Sequence, residues 1–312
     1  MFRVEENVSE MSQPLVSAVI TAYNNDRTIR ESVESVALQS FRDFEIILVD
    51  DGSTDGTEEI GKSYVPRVRY LRQPNGGSAA ARNAGVRAAQ GKYIAFLDGD
   101  DIAVPNRLEV QVAAMESRPN VGLAYGNIYL MDACGGKVRL RRGTGRYRSG
   151  RVTRHLAIKN FVPFSTIMLR RDLLVEIGLF DESIRSSEDW DMLVRLSQRC
   201  ECLYIDQPLV KYRIAPGSKT SNVEEKELAY KRVQAKIFAE NDFGADSPHL
   251  RRLSNAALEF GLLSIALRYG RYRSALRYLA RGLMSGPEVL LQYRHEILSR
   301  LVTPLGVGRS SS

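Results

Sequence analysis

Three carboxylates lie within four residues at the end of an apolar run. Residues 93–97 have the composition of a buried strand, and Asp98, Asp100 and Asp101 follow it directly. Carboxylate oxygens are the ligands that Mg²⁺ and Mn²⁺ prefer, and Mg²⁺ is usually held by one or two carboxylates together with substrate phosphates. The stretch therefore fits either a divalent-metal site for a phosphate-bearing ligand or a solvated turn that caps a helix.

Two further polar clusters follow apolar strands in the N-terminal half. Residues 21–24 come after the β-branched run 16–20, and residues 50–53 come after the run 44–49. Helical patterns separate the strands, which indicates βαβ units and a sheet covered on both faces. Ligands bind at the carboxyl ends of parallel strands, so we expect the three clusters to gather at one edge of the sheet.

Hydrophobic periodicity predicts the remaining elements. Residues 135–150 are rich in glycine and arginine and are predicted to form a mobile loop. After about residue 223 long helical patterns replace the alternation of strands and helices. Further strands are predicted at 68–71, 121–127 and 166–169. Helices are predicted at 28–40, 78–89, 171–177, 188–196, 224–240, 254–269 and 272–283, and one more helix is predicted to begin at Thr54 or Asp55.

Length and composition restrict the class of protein. The 312 residues are 44% hydrophobic and 26% charged, which fits a globular protein with one large domain and a smaller one. Three cysteines and three histidines have the spacing of neither a disulfide framework nor a zinc site, which favours a reducing, cytoplasmic location. No apolar run is long enough to span a membrane, and residues 1–14 are polar and predicted to be a disordered lead-in rather than a signal peptide.

The net charge of +7 comes from the C-terminal region. From Arg251 onward there are ten arginines, no lysine and three acidic residues, whereas basic and acidic residues balance before it. This excess fits a solvated helical face or a patch for anionic lipid headgroups. Nucleic acid is not an expected partner, because no nucleic-acid-binding motif accompanies the charge.

Five motifs together resemble an inverting glycosyltransferase of family 2 with the GT-A nucleotide-binding fold. They are VSAVITAYNN, FEIILVDDGSTDGT, NGGSAAARNAG, YIAFLDGDD and GLFDESIRSSEDWDMLVRL, and they occur in the family's order between residues 16 and 221. Each motif has low specificity alone, whereas five in order are specific. The resemblance implies an α/β, Rossmann-like domain at 15–222, with a mixed, mostly parallel sheet and helices on both faces. A basic helical region would follow at 223–312.

The resemblance also implies roles around the nucleotide. Thr21 and Tyr23 match contacts from the first strand, with Tyr23 near the base. Asp51 matches the carboxylate that accepts a hydrogen bond from the uracil N–H. Arg82 matches the arginine that faces the base and phosphates, and Asp98 matches the ribose or first Asp-x-Asp position.

Further matches concern the metal and the chemistry. Asp100 matches the ligand of the Mn²⁺ or Mg²⁺ that bridges the diphosphate, and Asp101 would act through water or support the turn. Asp189 matches the general base that takes the proton of the acceptor hydroxyl, although a carboxylate there also suits a helix cap. Glu188 would contact donor or acceptor sugar, and Trp190 fits a sugar-stacking platform or the core.

One position departs from the family pattern. Many members have Tyr-Arg-x-His after the last core strand, and the histidine reaches the metal or diphosphate. Here Ala215 stands in that place, which puts tight metal binding in doubt. We expect Arg213, Lys211 or Lys219 to supply the missing positive charge.

The resemblance implies transfer of a sugar from a nucleotide-sugar, a UDP-sugar above all, to a hydroxyl of a glycan or lipid-linked acceptor in cell-envelope polysaccharide synthesis. The enzyme would be cytoplasmic, and peripheral at the inner membrane face if the arginines contact lipid. A nucleotidyltransferase is an alternative, but the first loop, TAYNNDRT, lacks the glycine such enzymes carry. A phosphotransferase of the haloacid dehalogenase type fits less well, because DGDD follows the fourth strand. A non-catalytic binding or scaffold protein is the third alternative.

Overall fold

The structure is a computed structural model that describes residues 13–136, 138–140, 147–214, 223–291, 293 and 297. Strands and helices alternate through its N-terminal part, close to the predicted positions. Of the predicted lead-in, residues 1–12 lie outside the described residues. The first elements are β1 (Val16–Ala22), α1 (Ile29–Ala37), β2 (Phe44–Asp50), α2 (Thr57–Lys62), β3 (Arg69–Arg72), α3 (Ser78–Ala88) and β4 (Tyr93–Asp98).

The following part is less regular, and five of its elements were not predicted: β5 (Ile102–Ala103), α4 (Arg107–Glu116), β7 (Val138–Leu140), α5 (Thr153–Ile158) and β9 (Glu201–Ile214). The predicted strand at 166–169 is instead a 3₁₀ turn at Phe164–Thr166 followed by a strand from Met168. The elements are β5 (Ile102–Ala103), α4 (Arg107–Glu116), β6 (Val121–Asp132), β7 (Val138–Leu140), α5 (Thr153–Ile158), β8 (Met168–Arg170), α6 (Arg171–Glu176), α7 (Glu188–Ser197) and β9 (Glu201–Ile214).

The segment predicted to be a mobile loop is in part a strand. Residues 138–140 form β7, which pairs antiparallel with the end of β6. Of the rest of that segment, residues 137 and 141–146 lie outside the described residues. The prediction missed β7 because three exposed residues carry too short a pattern to show alternation.

Nine strands form one sheet within the described residues, in the order β3-β2-β1-β4-β8-β6-β9-β5, with β7 paired to β6. Most paired residues lie in parallel pairs, namely β1 with β2 and β4, β2 with β3, and β6 with β9. Antiparallel pairing joins β4 to β8 and β8 to β6. The predicted mixed, mostly parallel sheet is confirmed.

Helices cover both faces of the parallel part, so its strands are buried on both faces. Five of the seven residues of β2 and six of the seven of β1 are buried. Gly85 in α3 lies so close to β1 that a Cβ there would come within 2.3 Å of Val19 Cγ1. A larger residue would therefore push α3 off the sheet and move the loop that precedes it.

The C-terminal helices are α8 (Val223–Glu240), α9 (Ser247–Arg268) and α10 (Tyr272–Ser285). Helix α8 buries Val233 and Ile237 in the same apolar cluster that lies under β4 and α7. Helices α9 and α10 pack into a hairpin around their own cluster, which includes Phe260 and Tyr278. The helical region is thus fixed to the sheet through α8. None of the described helices combines the length and the apolar character needed to cross a bilayer.

Candidate active site

The three predicted polar clusters meet at one edge of the sheet. Strand β1 lies between β2 and β4, and Ala22 is the register partner of Asp50 while Thr21 is that of Asp98. The backbone N–H of Gly99 donates to the carbonyl of Thr21 at 2.9 Å, which ties the acidic loop to the end of β1. Tyr23, just beyond β1, is 47% exposed at this edge and is free to contact a ligand.

Asp51 anchors the loop that leads into α3. Its Oδ1 accepts hydrogen bonds from the Gln73 side-chain amide and the backbone N–H of Gly76, and its Oδ2 accepts one from the N–H of Gly77, all at 2.8 Å. The neighbouring Gly52 has φ +76°, and a Cβ there would lie 2.7 Å from the backbone nitrogen of Asn75. The second carboxylate of VDDGS therefore shapes the loop at this edge of the sheet.

Asp50 is fully buried beneath that loop. Its Oδ1 accepts from the N–H of Ser53 and its Oδ2 from the hydroxyl of Tyr70, both at 2.8 Å. Burial, together with this hydrogen bond, raises the pKa of Tyr70 well above its usual range, so the phenol remains a donor. Asp50 holds the turn together and faces no solvent.

Asp101 supports the acidic loop from inside the protein. It is fully buried, its Oδ2 accepts from the Ser165 hydroxyl at 2.5 Å, and its Oδ1 accepts from the backbone N–H of Arg213 at 3.0 Å. Burial and the charges of Asp100 and Asp98 raise its pKa well above the usual value. Both oxygens are used by the protein, so Asp101 supports the turn, one of the two predicted roles.

Arg213 holds the same loop and does not point towards the open edge. Its Nε donates to the carbonyl of Asp100, one Nη to the carbonyl of Ala133, and the other Nη to the carboxylate of Glu31 at 2.7 Å. It is only 6% exposed. These contacts hold its guanidinium against the loop, where its positive charge opposes the rise in the pKa of Asp100.

The other predicted substitutes are placed differently. Lys211 is half-buried on β9, in register with Ile102 of β5 and Tyr129 of β6. Lys219 and Ala215 lie outside the described residues.

Asp98 and Asp100 are the carboxylates left open at this edge. The side chain of Asp98 is 32% exposed and has one oxygen paired with Arg82 at 3.1 Å. Within the described part of the chain, the only hydrogen-bond donor to the Asp100 carboxylate is its own backbone N–H. Burial, and next the charge of Asp98, raises the pKa of Asp100 to about 6, because both disfavour the ionised carboxylate.

These two carboxylates fit a divalent cation in the chemistry of their oxygens. No group of three or more metal-binding side chains is clustered among the described residues. A pair of carboxylates is nevertheless what Mg²⁺-type sites use when phosphate oxygens and water complete the coordination. Asp98 and Asp100 are therefore the residues that would hold the metal.

Arg82 connects the acidic loop to the start of α7, where Glu188 and the predicted base Asp189 lie. From α3 it donates through one Nη to Asp98 and through the other to Glu188 Oε1 at 2.5 Å. Its guanidinium also stacks 3.5 Å from the ring centroid of Phe164, and its buried Nε has no hydrogen-bond partner in the described structure. Burial alone would lower the pKa of Arg82, but the charges of Asp98 and Glu188 outweigh it and raise the pKa.

Asp189 lies at the start of α7, next to the buried Glu188. Ser187 turns the chain with φ +66° before the helix, and the Asp189 Oδ2 accepts from the Asn160 side-chain amide at 2.8 Å. Burial, and next the charge of Glu188, raises the pKa of Asp189 to about 6, although Arg82 opposes the shift. A carboxylate with this pKa is ionised at neutral pH and still basic enough to take a proton.

Trp190 lies in the core. It is 4% exposed, its indole N–H donates to the carbonyl of Leu156 at 2.6 Å, and its ring meets Tyr230 edge-on at 5.7 Å. A sugar-stacking platform needs an exposed ring face, so the structure favours the core role for this residue.

The sequence did not indicate several residues that complete this region. Ser165 and Asn160 orient Asp101 and Asp189, and Arg107 is buried beneath the acidic loop, where it donates to the carbonyls of Phe96 and Ile167. Single polar residues in unrelated segments carry no spacing signal. The burial of Arg107 in α4 became visible only in the structure.

Comparison with known proteins identifies the family. The sequence profile of Glycosyl transferase family 2 matches residues 17–178. An uncharacterized glycosyltransferase of Rickettsia prowazekii is 32% identical over 212 residues, which cover 67% of this chain and 66% of the relative. The chain thus spans slightly less than two thirds of that relative's length.

Solved structures agree in fold. TarS residues 1–349 from S. aureus in complex with UDP-GlcNAc superposes with a TM-score of 0.62 at 19% identity, over 91% of this chain and 88% of TarS. The mannosyltransferase PcManGT from Pyrobaculum calidifontis, in complex with GDP-Man and Mn²⁺, gives 0.56 at 16% identity, over 95% and 88%. The family match, the order of the strands and the placement of the five motifs at one sheet edge lead to one conclusion: the chain belongs to glycosyltransferase family 2 and has the GT-A fold.

Proposed function

We propose that the protein transfers a sugar from a nucleotide-sugar, with a UDP-sugar as the first candidate, to an acceptor hydroxyl with inversion at the anomeric carbon. The acceptor would be a glycan or lipid-linked saccharide of the cell envelope. The bound UDP-GlcNAc of TarS and GDP-Man of PcManGT support a nucleotide-sugar as the donor class.

One observation carries the proposal: Arg82 joins the two halves of the site. Its guanidinium contacts Asp98 at the end of β4 and Glu188 at the start of α7, which are 90 residues apart in the chain. Arg82 thus links one of the carboxylates expected to serve the donor to the residue next to the expected base. A solvated acidic turn alone would have no reason to be coupled to α7 by a buried cation.

In the proposed reaction Asp189 acts as the general base. The acceptor oxygen attacks the anomeric carbon as the Asp189 carboxylate takes its proton, and the bond from that carbon to the diphosphate oxygen breaks with its electrons on the leaving diphosphate. Asn160 holds the Asp189 carboxylate through a hydrogen bond to Oδ2, and the backbone N–H of Trp190 also interacts with it. Arg82 keeps the first turn of α7 at a fixed position relative to β4.

Asp98 and Asp100 are the proposed ligands of Mn²⁺ or Mg²⁺. When bound, such a cation would neutralise the charge that grows on the leaving diphosphate. The protein's own contribution is to keep Asp98 and Asp100 close together, with Asp101 and Arg213 supporting the loop from below.

The test is a screen of UDP-, GDP- and dTDP-sugars by thermal shift with and without Mn²⁺, followed by an assay of nucleotide release. A ligand that binds only the folded state raises the melting temperature, so the true donor should give the largest rise. Asp189→Asn should keep that rise and lose nucleotide release, on the order of 10³-fold. Asp172→Asn removes an exposed carboxylate at the start of α6 and is the matched control. Full turnover by Asp189→Asn would overturn the assignment of the base.

We further propose that the protein works at the inner face of a membrane, with α10 as the contact. On this helix Tyr272, Leu276 and Leu283 are exposed at 62%, 69% and 42%, and Arg273 and Arg277 are exposed beside them. Apolar side chains flanked by arginines on one exposed helix face suit the headgroup region of an anionic bilayer.

Sedimentation with vesicles tests the membrane contact. Binding to vesicles that contain phosphatidylserine should weaken when Arg273→Glu and Arg277→Glu are combined, and should be absent with neutral vesicles. Equal binding by the wild type and the double variant would refute the contact.

A further inference from the structure

Helix α8 of the C-terminal region lies against the start of α7. Lys226 and Tyr230 are four residues apart and therefore on the same face of α8. The ring of Tyr230 packs edge-on against Trp190, the residue that follows Asp189. This contact places the Lys226 face of α8 beside the Asp189 carboxylate.

Electrostatics place Lys226 and Tyr230 within range of Asp189. The negative charge of Asp189 raises the pKa of both side chains. Within the described chain, Asp189 is the one carboxylate that acts on the pKa of Lys226 in this way. The other charges at the edge, on Asp98 and Asp100, have no comparable influence on this lysine. Lys226 therefore belongs to the Asp189 side of the site, away from the proposed diphosphate.

The ammonium of Lys226 is half-buried without an ion-pair partner. It lies 5.5 Å from the ring centroid of Tyr230, and it makes no salt bridge within 4.0 Å to any residue that the structure describes. Burial lowers its pKa, and the charge of Asp189 opposes that shift only in part. Burying a cation without a bonded anion costs free energy, so a lysine at this position calls for a functional explanation.

The other two lysines of α8 show the contrast. Lys231 pairs with Glu227 at 2.6 Å, and Lys236 pairs with Asp181 at 2.6 Å and with Asp191 at 3.0 Å. Both are satisfied by carboxylates of the protein. Lys226 is the lysine of this helix that faces the reacting centre and has its hydrogen-bond donors available.

We propose that Lys226 binds an anionic group of the acceptor, of the phosphate class, next to the hydroxyl that Asp189 activates. The inference rests on the proposed function, because Asp189 defines the acceptor side. A lysine is a compact point charge with three donors, which suits a phosphate oxygen presented from solvent. The C-terminal helices would then line the acceptor site and select for acceptors that carry phosphate.

The experiment compares glycerol 3-phosphate with glycerol as acceptor probes. Binding is measured by calorimetry on the full chain saturated with UDP and Mn²⁺, for the wild type, Lys226→Met, Lys226→Arg and the control Lys231→Met. We expect the wild type and Lys231→Met to prefer glycerol 3-phosphate over glycerol. Lys226→Met should lose about tenfold in affinity for glycerol 3-phosphate, and Lys226→Arg should recover part of it.

Three outcomes would overturn the inference. One is equal affinity of the wild type and Lys226→Met for glycerol 3-phosphate. Another is a loss by Lys226→Met of affinity for UDP itself, which would assign the lysine to the donor diphosphate. The third is equal binding of glycerol and glycerol 3-phosphate by the wild type. Failure of the wild type to bind any nucleotide or nucleotide-sugar is a different result, because it rejects the proposed function before the lysine is tested.

Discussion

The acidic clusters after β2 and β4 have similar sequences but differ in how many of their carboxylate oxygens accept hydrogen bonds from the protein. In VDDGS, all four oxygens of Asp50 and Asp51 accept hydrogen bonds from donors of the protein. In LDGDD, only Asp101 has both oxygens bonded to other residues, whereas Asp98 has one oxygen paired. Among the described residues, the only donor to the Asp100 carboxylate is its own backbone N–H. Acidic residues that follow a strand can therefore either stabilise a loop or remain available to bind a ligand.

The difference distinguishes carboxylates that stabilise loops from carboxylates that are available to bind a cation or a ligand. A carboxylate whose oxygens are filled by backbone N–H groups fixes a loop and contributes to stability. A carboxylate left open beside another one opposes folding and is available for a cation or ligand. By this criterion we assign Asp98 and Asp100 to function, whereas Asp50, Asp51 and Asp101 first of all stabilise the structure. For Asp51, any contact with the base would come in addition to its three protein donors.

The largest expected effect is on Asp100. Asp100→Asn should lower kcat/KM on the order of 10²- to 10³-fold, because it removes one ligand of the proposed cation. Folding raises the pKa of Asp100 to about 6, so its ionised form opposes folding above that pH. The melting temperature at pH 7.5 should therefore stay the same or rise. A fall of the melting temperature would show that Asp100 is a structural carboxylate like Asp50.

Asp51 should show the opposite behaviour. Asp51→Ala should lower the free energy of unfolding by about 2–3 kcal/mol, since the N–H groups of Gly76 and Gly77 lose their acceptor. Urea unfolding monitored by circular dichroism measures it, and Asp172→Ala is the exposed control. A change of less than about 0.5 kcal/mol, the usual size for surface substitutions, would contradict the structural role.

The pH dependence of the reaction tests Asp189. The base acts in its ionised form, and its pKa is raised to about 6, so kcat should be constant above that pH and fall below it. The expected rate at pH 5 is about one tenth of the plateau. Initial rates from pH 5 to 8 at saturating donor measure the profile, with circular dichroism at each pH to show that the protein stays folded. A rate that is flat down to pH 5 would exclude Asp189 as the titrating base.

The smallest expected effect concerns Ser165. Ser165→Ala removes the hydrogen bond to Asp101 Oδ2 and the acceptor for the N–H of Asp98, and should cost about 1 kcal/mol of stability. Ser117→Ala is the matched control, because that exposed hydroxyl bonds only within its own helix end. Equal stability of the two variants would mean that Asp101 does not depend on Ser165.

Much of the fold was predictable from the sequence. The strands β1 to β4 have apolar runs, and polar clusters follow β1, β2 and β4. Their positions along the chain, and the sheet edge at which the polar clusters gather, therefore followed from the sequence pattern. The elements that were missed, such as β5 and β9, depend on pairing with distant strands. The two-residue β5 exists because β9 pairs with it, and no local pattern announces such a contact.

The sequence alone determined the family, the sheet edge and the carboxylates that gather there, because these follow from local patterns repeated along the chain. Only the tertiary structure decided which of those carboxylates are already satisfied. Hydrogen bonds from Ser165 and Arg213 to Asp101 and from Arg82 to Asp98 and Glu188 join segments far apart in the chain. The same holds for Lys226, whose place beside Asp189 results from the packing of Tyr230 on Trp190.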